Sequence, residues 1–212
     1  MIKPRFEDLL DAETRKIFAG LTSPARIQAF LDEIPYRPEE VYLSPLTALR
    51  ERQAHCFDGG LLGAVALRRL GHPPVIIDLL PWNDDDHVLA VYKIGRYYGA
   101  VAKSNYTGLR LREAVYRDTR ELVMSYFEQF FNTIGQKTLR GYTRPIRLRP
   151  FDRWNWETED SGAWLVYQSM LSAPKVHPFT EEEINRFALA DERSVQAGLI
   201  GANPQGLYHP KQ

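Results

Sequence analysis

The sequence contains a single cysteine, Cys56, among its 212 residues. One cysteine cannot form an internal disulfide, so the sequence carries no sign of an oxidising compartment. The N-terminal segment lacks the apolar core of a signal peptide, and no window approaches the roughly 18 uninterrupted apolar residues of a membrane span. We therefore expect a cytoplasmic protein without a membrane partner.

A basic excess is also absent, because Lys+Arg and Asp+Glu both number 27. Nucleic-acid-binding proteins usually have such an excess, so we expect no nucleic-acid partner. The hydrophobic content of 44% is ample for a packed core. At this length we expect one domain over residues 1–212, and the sequence does not indicate its oligomeric state.

The central part of the chain predicts a helix followed by three antiparallel strands. Residues 57–70 predict the helix, which Gly71 and the following "HPP" bring to an end. The stretches "VIIDLL" (75–80), "HVLAVYKI" (87–94) and "YYGAVAK" (97–103) predict the strands. Elsewhere the patterns predict helices at 5–20, at 24–34, at 119–132 and from Thr180 onward.

The predicted central helix carries three glycines near its start, Gly59, Gly60 and Gly63. Each glycine in a helix interior costs roughly 1 kcal/mol relative to alanine. Positions 56, 60, 63 and 67 share one helical stripe, so this bare stripe predicts a close approach of the sheet, which would bring His87 to Cys56. The alternative interpretation is a buried structural thiol on a small-residue packing face.

A cysteine at a helix N-terminus is suited to nucleophilic chemistry. The unpaired N–H groups and the helix dipole favour the thiolate, and the same groups can stabilise an oxyanion. Of the five histidines, His87 is the best placed as the base, at the start of the middle strand. His55 is adjacent to Cys56, and neighbouring residues rarely bring their side-chain tips together.

The group that orients His87 is left open between two residues. A hairpin centred near Ile94 and Gly95 puts Ala102, which has no polar group, opposite His87. Ser104 is two residues beyond Ala102, so along a strand its side chain lies on the same face as that of Ala102 and can face the imidazole. Asn105 has the better acceptor but needs a bulge or a strand end to turn inward.

The segments "CFDGGLLGAVALRRLGHPPVIIDL" and "DDHVLAVYKIGRYYGAVAKSN" resemble the transglutaminase-like superfamily, a branch of the papain-like cysteine enzymes. In that family a cysteine opens a helix ending in "LRxxGxP", a later strand opens with His, and the next strand ends with Asp. The family's Asp would fall at Ala102, where this chain departs from the pattern, and papain-like enzymes that use Asn make Asn105 a substitute.

The resemblance covers residues 26–106 and implies an α+β fold with a papain-like, transglutaminase-type core. In this core a helix packs on an antiparallel sheet, and N- and C-terminal helical extensions cover the sheet. We expect residues 107–212 to form a helical and irregular C-terminal extension.

The residues and the resemblance together predict cysteine-dependent acyl chemistry on an amide or peptide bond, as hydrolysis or as transfer to an amine. Cys56 is the expected nucleophile and His87 the expected base. The alternative is a non-catalytic binding or scaffold protein with the same fold, for which Ala102 is the main support. The substrate partner would be a peptide or another amide.

Two further residues are candidates for substrate binding. Trp82 could line the substrate cleft, with core packing as the alternative, and Gln53 could donate a hydrogen bond to an oxyanion. We expect neither a metal nor an organic cofactor. The run "NDDDH" is interpreted as a solvated turn, because consecutive side chains on a turn seldom converge on one ion.

Overall fold

Helices and strands both contribute to the computed structural model of the protein, which describes residues 6–211. The α-helices are α1 (Ala12–Ala19), α2 (Pro24–Glu33), α3 (Pro45–Glu51), α4 (Cys56–Arg69), α5 (Thr119–Met124), α6 (Asp160–Leu171), α7 (Glu181–Ile184) and α8 (Glu192–Gly198). The strands are β1 (Val75–Pro81), β2 (His87–Ile94), β3 (Tyr97–Val101), β4 (Arg112–Tyr116), β5 (Leu139–Thr143), β6 (Ile146–Arg147) and β7 (Lys175–Val176). Short 3-10 turns occupy Phe6–Leu9, Phe127–Gln129, Arg149–Trp154 and Pro204–Gly206.

All seven strands of the described chain join one antiparallel sheet in the order β4-β3-β2-β1-β5-β7, and β6 pairs with β1. The central strands β1 and β2 are buried on both faces. This explains why their sequences are nearly continuous apolar runs instead of alternating patterns. The protein is therefore α+β, as expected.

The sheet separates two apolar cores. Helices α2, α3, α4 and α6 pack on one face, against Ile76, Val88, Ala90 and Val101. Helix α5 and the segment after it pack on the other face. The residues of strand and loop that meet them there are Ile77, Leu79, Leu89, Val91, Ala100 and Ala102.

Helix α4 approaches the sheet closely through its glycines. A Cβ atom built at Gly60 would lie 2.7 Å from Val88 Cγ1, and one built at Gly63 would lie 3.0 Å from Val101 Cγ2. At Gly59 the corresponding atom would overlap Lys103 Cβ at 2.2 Å. The prediction of a bare, closely packed stripe is confirmed, since only glycine leaves room for these contacts.

Several predicted boundaries are confirmed. Ser23 caps α2 through a hydrogen bond from the Arg26 N–H, Pro24 is its first residue, and the helix ends before Pro35. Helix α4 and strands β1 to β3 lie within a few residues of their predicted ranges. A capping box at Thr180 and Glu183 begins α7, although this helix has only four residues.

The prediction of one long helix over 119–132 is wrong. Helix α5 ends at Met124, where the Ser125 hydroxyl donates to the Leu122 carbonyl at 2.6 Å and competes with the backbone pattern. Phe127 then packs outward, with its ring centroid 4.8 Å from that of Phe187. The predicted helix over 5–20 is likewise divided into the turn Phe6–Leu9 and α1, and residue 5 lies outside the described residues.

The register of the β2–β3 hairpin also differs from the prediction. Ile94 pairs with Tyr97 and Ala90 with Val101, so the turn is centred between Gly95 and Arg96. This shifts the ladder by two residues from the predicted pairing. The position facing His87 along this ladder is therefore 104 instead of Ala102.

The longest helix within residues 6–211 is α4, with 14 residues, and none there has the length and apolar composition needed to cross a membrane. The cytoplasmic location and the single-domain organisation stay predictions.

Replacing Gly60 with alanine tests the close approach of α4. The added methyl group gains roughly 1 kcal/mol of helix propensity but overpacks the contact with Val88, which costs roughly 1–3 kcal/mol. We expect Gly60→Ala to lower the free energy of unfolding in urea, and Gly63→Ala, with its wider contact, to lower it less. A Gly60→Ala protein more stable than the wild type would contradict this packing.

Candidate active site

Cys56 is the first residue of α4, and its thiol lies at the helix N-terminus, as predicted. The Sγ atom lies 3.3 Å from Nδ1 of His55 and 3.4 Å from the carbonyl oxygen of Asp86, to which the thiol can donate. The residue is only 4% exposed. The thiol therefore faces the loop that precedes β2.

Asp58, in the first turn of α4, organises the surroundings of the thiol. Its carboxylate accepts a hydrogen bond from the His55 N–H at 3.3 Å and one from the Leu43 N–H at 2.9 Å. Burial raises the pKa of Asp58 to about 7. These bonds fasten the segment that carries Glu40 and Tyr42 beside the helix N-terminus.

Two carboxyl groups lie near the thiol on the α4 face of the sheet. Asp78 is opposite Val88 in the ladder, and Asp86 precedes Val88 by two residues, so all three side chains share this face. Burial raises the pKa of the Cys56 thiol well above its ordinary value, and Asp78 and Asp86 raise it further. Burial and the two carboxyls therefore favour the protonated thiol over the thiolate.

A cavity of about 190 Å³ lies beside the thiol. Its lining includes Cys56, His55, four carboxylic acids and the aromatic rings of Tyr42 and Tyr167. The acids are Glu40, Asp84, Asp85 and Asp86. Glu40 and Asp86 are exposed, so the cavity opens to solvent with the thiol at its floor.

His87 lies on the other face of the sheet. Its ring Nε2–H donates to the Leu109 carbonyl at 2.7 Å, and its ring centroid is 6.4 Å from that of Phe130 and 6.5 Å from that of Tyr126. Because a carbonyl only accepts, this bond leaves Nδ1 without a proton in the neutral ring. Burial lowers the pKa of His87 to about 4.

The structure does not join Cys56 and His87 by a hydrogen bond in the described part of the chain. Side chains alternate along β2, so the close contact of α4 with Val88 turns the His87 ring toward the opposite face. The expected approach of helix and strand is present, but it brings Asp86 to the thiol. The catalytic pairing of Cys56 with His87 stays a prediction.

Ser104 and Asn105 line the same small cavity as His87, but both are engaged elsewhere. The Ser104 hydroxyl accepts from the Tyr106 N–H at 2.9 Å. The Asn105 amide donates to the carbonyls of Asn203 and Gly206 and accepts from the Asn203 N–H at 2.7 Å. The Leu109 carbonyl thus makes the orienting contact with His87 that was predicted for these two side chains.

Trp82 and Gln53 line neither the cavity of Cys56 nor that of His87. Trp82 is 52% exposed, and the Arg140 guanidinium carbon lies 5.6 Å from its ring centroid, a cation–π contact. Gln53 is half-buried in the segment between α3 and α4. Their roles in substrate binding stay predictions.

Three groups near the site are not predicted by the sequence analysis. His55 was set aside because it is adjacent to Cys56, yet its Nδ1 is 3.3 Å from the sulfur. Asp78 carried a visible signal, since a carboxylic acid inside the apolar run "VIIDLL" is rarely fully buried without a function or a partner. The Leu109 carbonyl is a backbone group, and no side-chain pattern could reveal it.

Within residues 6–211 no three His, Cys, Asp or Glu side chains are arranged to hold a metal ion. The run "NDDDH" places Asp84 in a hydrogen bond from the Thr138 hydroxyl at 2.7 Å. Burial raises the pKa of Asp84 and of Asp85 to about 6. Both side chains line the thiol cavity.

No protein-family model and no curated protein sequence matches the chain. Among solved structures, two of Legionella pneumophila LapG are similar to it, one of them EGTA-treated. The EGTA-treated structure has a TM-score of 0.36 and 12% identity over 47% of this chain and 68% of LapG. The other has a TM-score of 0.35 and 13% identity over 52% and 87%. These values describe a distant structural likeness only.

Replacing Asn105 with alanine tests its anchoring of the C-terminal segment. The change removes three hydrogen bonds and leaves two backbone carbonyls and one N–H to find other partners. We expect a loss of about 1–3 kcal/mol in the free energy of unfolding, together with faster proteolytic cleavage after residue 198. The exposed Gln205, changed to alanine, is the control, and equal cleavage of both variants would contradict the anchoring role.

The buried, neutral His87 predicts a specific loss of stability on acidification. Its pKa of about 4 lies below the ordinary 6.5, so between these values the unfolded state binds a proton that the folded state does not. The free energy of unfolding then falls as the pH decreases, by up to about 1.4 kcal/mol per pH unit. We expect urea unfolding at pH 7.5 and at pH 5.0 to show that the wild type exceeds His87→Gln in free energy of unfolding by less at pH 5.0 than at pH 7.5.

The variant Phe130→Leu is the control, because it changes the packing around the imidazole without removing a titratable group. A difference between wild type and His87→Gln that is constant with pH would show that His87 is not held neutral.

Proposed function

We propose that the protein performs cysteine-dependent acyl chemistry on an amide or peptide bond, with Cys56 as the nucleophile. The observation that carries the proposal is the contact of 3.3 Å between Cys56 Sγ and His55 Nδ1, at the N-terminus of a 14-residue helix and at the floor of an open cavity. The resemblance of residues 26–106 to transglutaminase-like enzymes supports the same reading, and with it a papain-like core.

The proposed reaction begins when an imidazole accepts the thiol proton. The sulfur attacks the carbonyl carbon of the substrate, and the negative oxygen that forms is stabilised by N–H groups of the first turn of α4. The C–N bond then breaks, and the imidazolium returns the proton to the departing amine. Water releases the acyl group as a carboxylic acid, or another amine takes it as a new amide.

Two histidines are candidates for the base. His55 contacts the sulfur directly, and burial lowers its pKa to about 4, which keeps the ring neutral and able to accept a proton. His87 carries the family resemblance and has its tautomer set by the Leu109 carbonyl, but it lies on the other face of the sheet. We propose His55 as the base in the observed arrangement, and Ser104 and Asn105 have no part in it.

The competing proposal is a non-catalytic binding protein with the same fold. It is favoured by the raised pKa of the buried thiol and by the separation of Cys56 from His87. In that case Cys56 is a small apolar packing residue.

Alkylation by iodoacetamide between pH 6 and 9 distinguishes the two proposals. If His55 removes the thiol proton, His55→Gln should slow alkylation at pH 7 by about tenfold or more. His87→Gln should leave the rate within about twofold of the wild type. The urea-unfolded protein gives the rate of an unassisted thiol, and Cys56→Ser shows that no other residue is labelled.

The same variants should be compared by mass spectrometry for the acyl-enzyme formed from p-nitrophenyl acetate. We expect acetylation of Cys56 in the wild type and its loss in His55→Gln. Slow and equal alkylation of the wild type, His55→Gln and His87→Gln, with no acetyl-enzyme, would support the non-catalytic alternative. A selective loss in His87→Gln would instead assign the base to His87 after a rearrangement.

A further inference from the structure

The cavity beside Cys56 is lined by acidic groups, and no lysine or arginine of residues 6–211 lines it. Burial raises the pKa of Asp85 and of Asp86, the charge of Glu40 raises both further, and Asp86 also raises that of Asp85, so these carboxylates repel. The positive charge that acts on Asp86 and on Asp78 is that of Lys175, in the short strand β7 outside the lining. The cavity therefore concentrates negative charge that a bound group of opposite charge would relieve.

Asp78 is a second, independent indication of a ligand. It is 2% exposed, and its Oδ1 has no hydrogen-bond partner. A buried carboxyl oxygen without a partner costs free energy, so native proteins rarely retain one without a role. Asp78 faces the same side of the sheet as Val88, which lines the cavity, and its charge raises the pKa of the Cys56 thiol.

Aromatic rings form another part of the cavity wall. The rings of Tyr42 and Tyr167 stack with centroids 3.8 Å apart, and Phe57 meets Tyr167 edge-on at 5.7 Å. Trp164 continues this cluster outward and is 43% exposed. Aromatic faces together with carboxylates are the surroundings in which proteins bind organic cations.

We infer that this cavity binds an ammonium or guanidinium group carried on a side-chain-sized apolar stem. Its volume of about 190 Å³ suits a lysine- or arginine-sized group and is too small for a drug-sized ligand. The stem packs along Tyr42 and Tyr167, and the cation meets Asp86 and Glu40 in the lining, with the buried Asp78 behind Val88 on the same face of the sheet. The role of this cavity in recognising an acyl substrate rests on the proposed function. Binding of the cation itself does not require the thiol.

Cation binding would also alter the thiol. Burial holds the pKa of Cys56 high, the charges of Asp78 and Asp86 raise it further, and a bound cation would offset the contribution of the two carboxyls. A positively charged substrate would thus favour the thiolate that attacks it, whereas a neutral one would meet a protonated thiol.

Calorimetric titration of the Cys56→Ser protein tests the inference without any reaction. The probes are the Nα-acetyl N-methylamides of lysine and arginine, with that of norleucine as the neutral match of lysine, and calcium chloride. We expect the lysine or arginine probe to bind, and the norleucine probe and calcium to bind at least about tenfold more weakly. Asp86→Asn and Glu40→Gln should each weaken the cationic probe by about tenfold, and Glu39→Gln, on the same segment but outside the lining, should not.

Equal binding of norleucine would mean an apolar cavity, and binding of calcium alone would mean a metal site. Either result, or no binding of any probe, or binding unaffected by Asp86→Asn and Glu40→Gln, would overturn the inference. Because the Cys56→Ser protein lacks the thiol, these outcomes are independent of the alkylation experiment, which tests the proposed function separately.

Discussion

The contact between the glycines of α4 and the sheet determines the geometry of this protein. Gly59, Gly60 and Gly63 allow the helix to rest directly on the side chains of Lys103, Val88 and Val101. Larger residues would hold the helix away from the sheet. The contact also fixes the height of the helix N-terminus, and so it places the Cys56 thiol against the loop that enters β2.

The same contact decides which groups the thiol meets. Successive side chains of a strand point to opposite faces, so with Val88 against the helix, Asp86 shares the helix face and His87 does not. A displacement of the strand by one residue would exchange them. The chemistry at Cys56 therefore depends on the alternation within β2, and the nearest imidazole is that of His55, which belongs to the same chain segment as the thiol.

The electrostatics of the site follow from this arrangement. A helix N-terminus favours a thiolate, but burial and the carboxyls of Asp78 and Asp86 act in the opposite direction and prevail. The carboxyls near the cavity therefore favour a bound positive group, and they disfavour ionisation of the thiol when no such group is bound. Recognition and activation would then be coupled, because the charge that binds is the charge that favours the thiolate.

The sequence by itself determined the local elements and where the single thiol lies in them. Ser23 with Pro24, the glycines of α4 and the apolar runs of β1 and β2 act through neighbouring residues, so their patterns predict α2, α4 and the central strands. Short elements such as β5 to β7 and α6 were missed, since their stability comes from distant contacts instead of local propensity. Only the tertiary structure decided the hairpin register, the face that His87 occupies and the partners of Asn105. Each depends on which residues meet across the sheet, and a shift of one or two residues changes every such contact while leaving the local patterns intact.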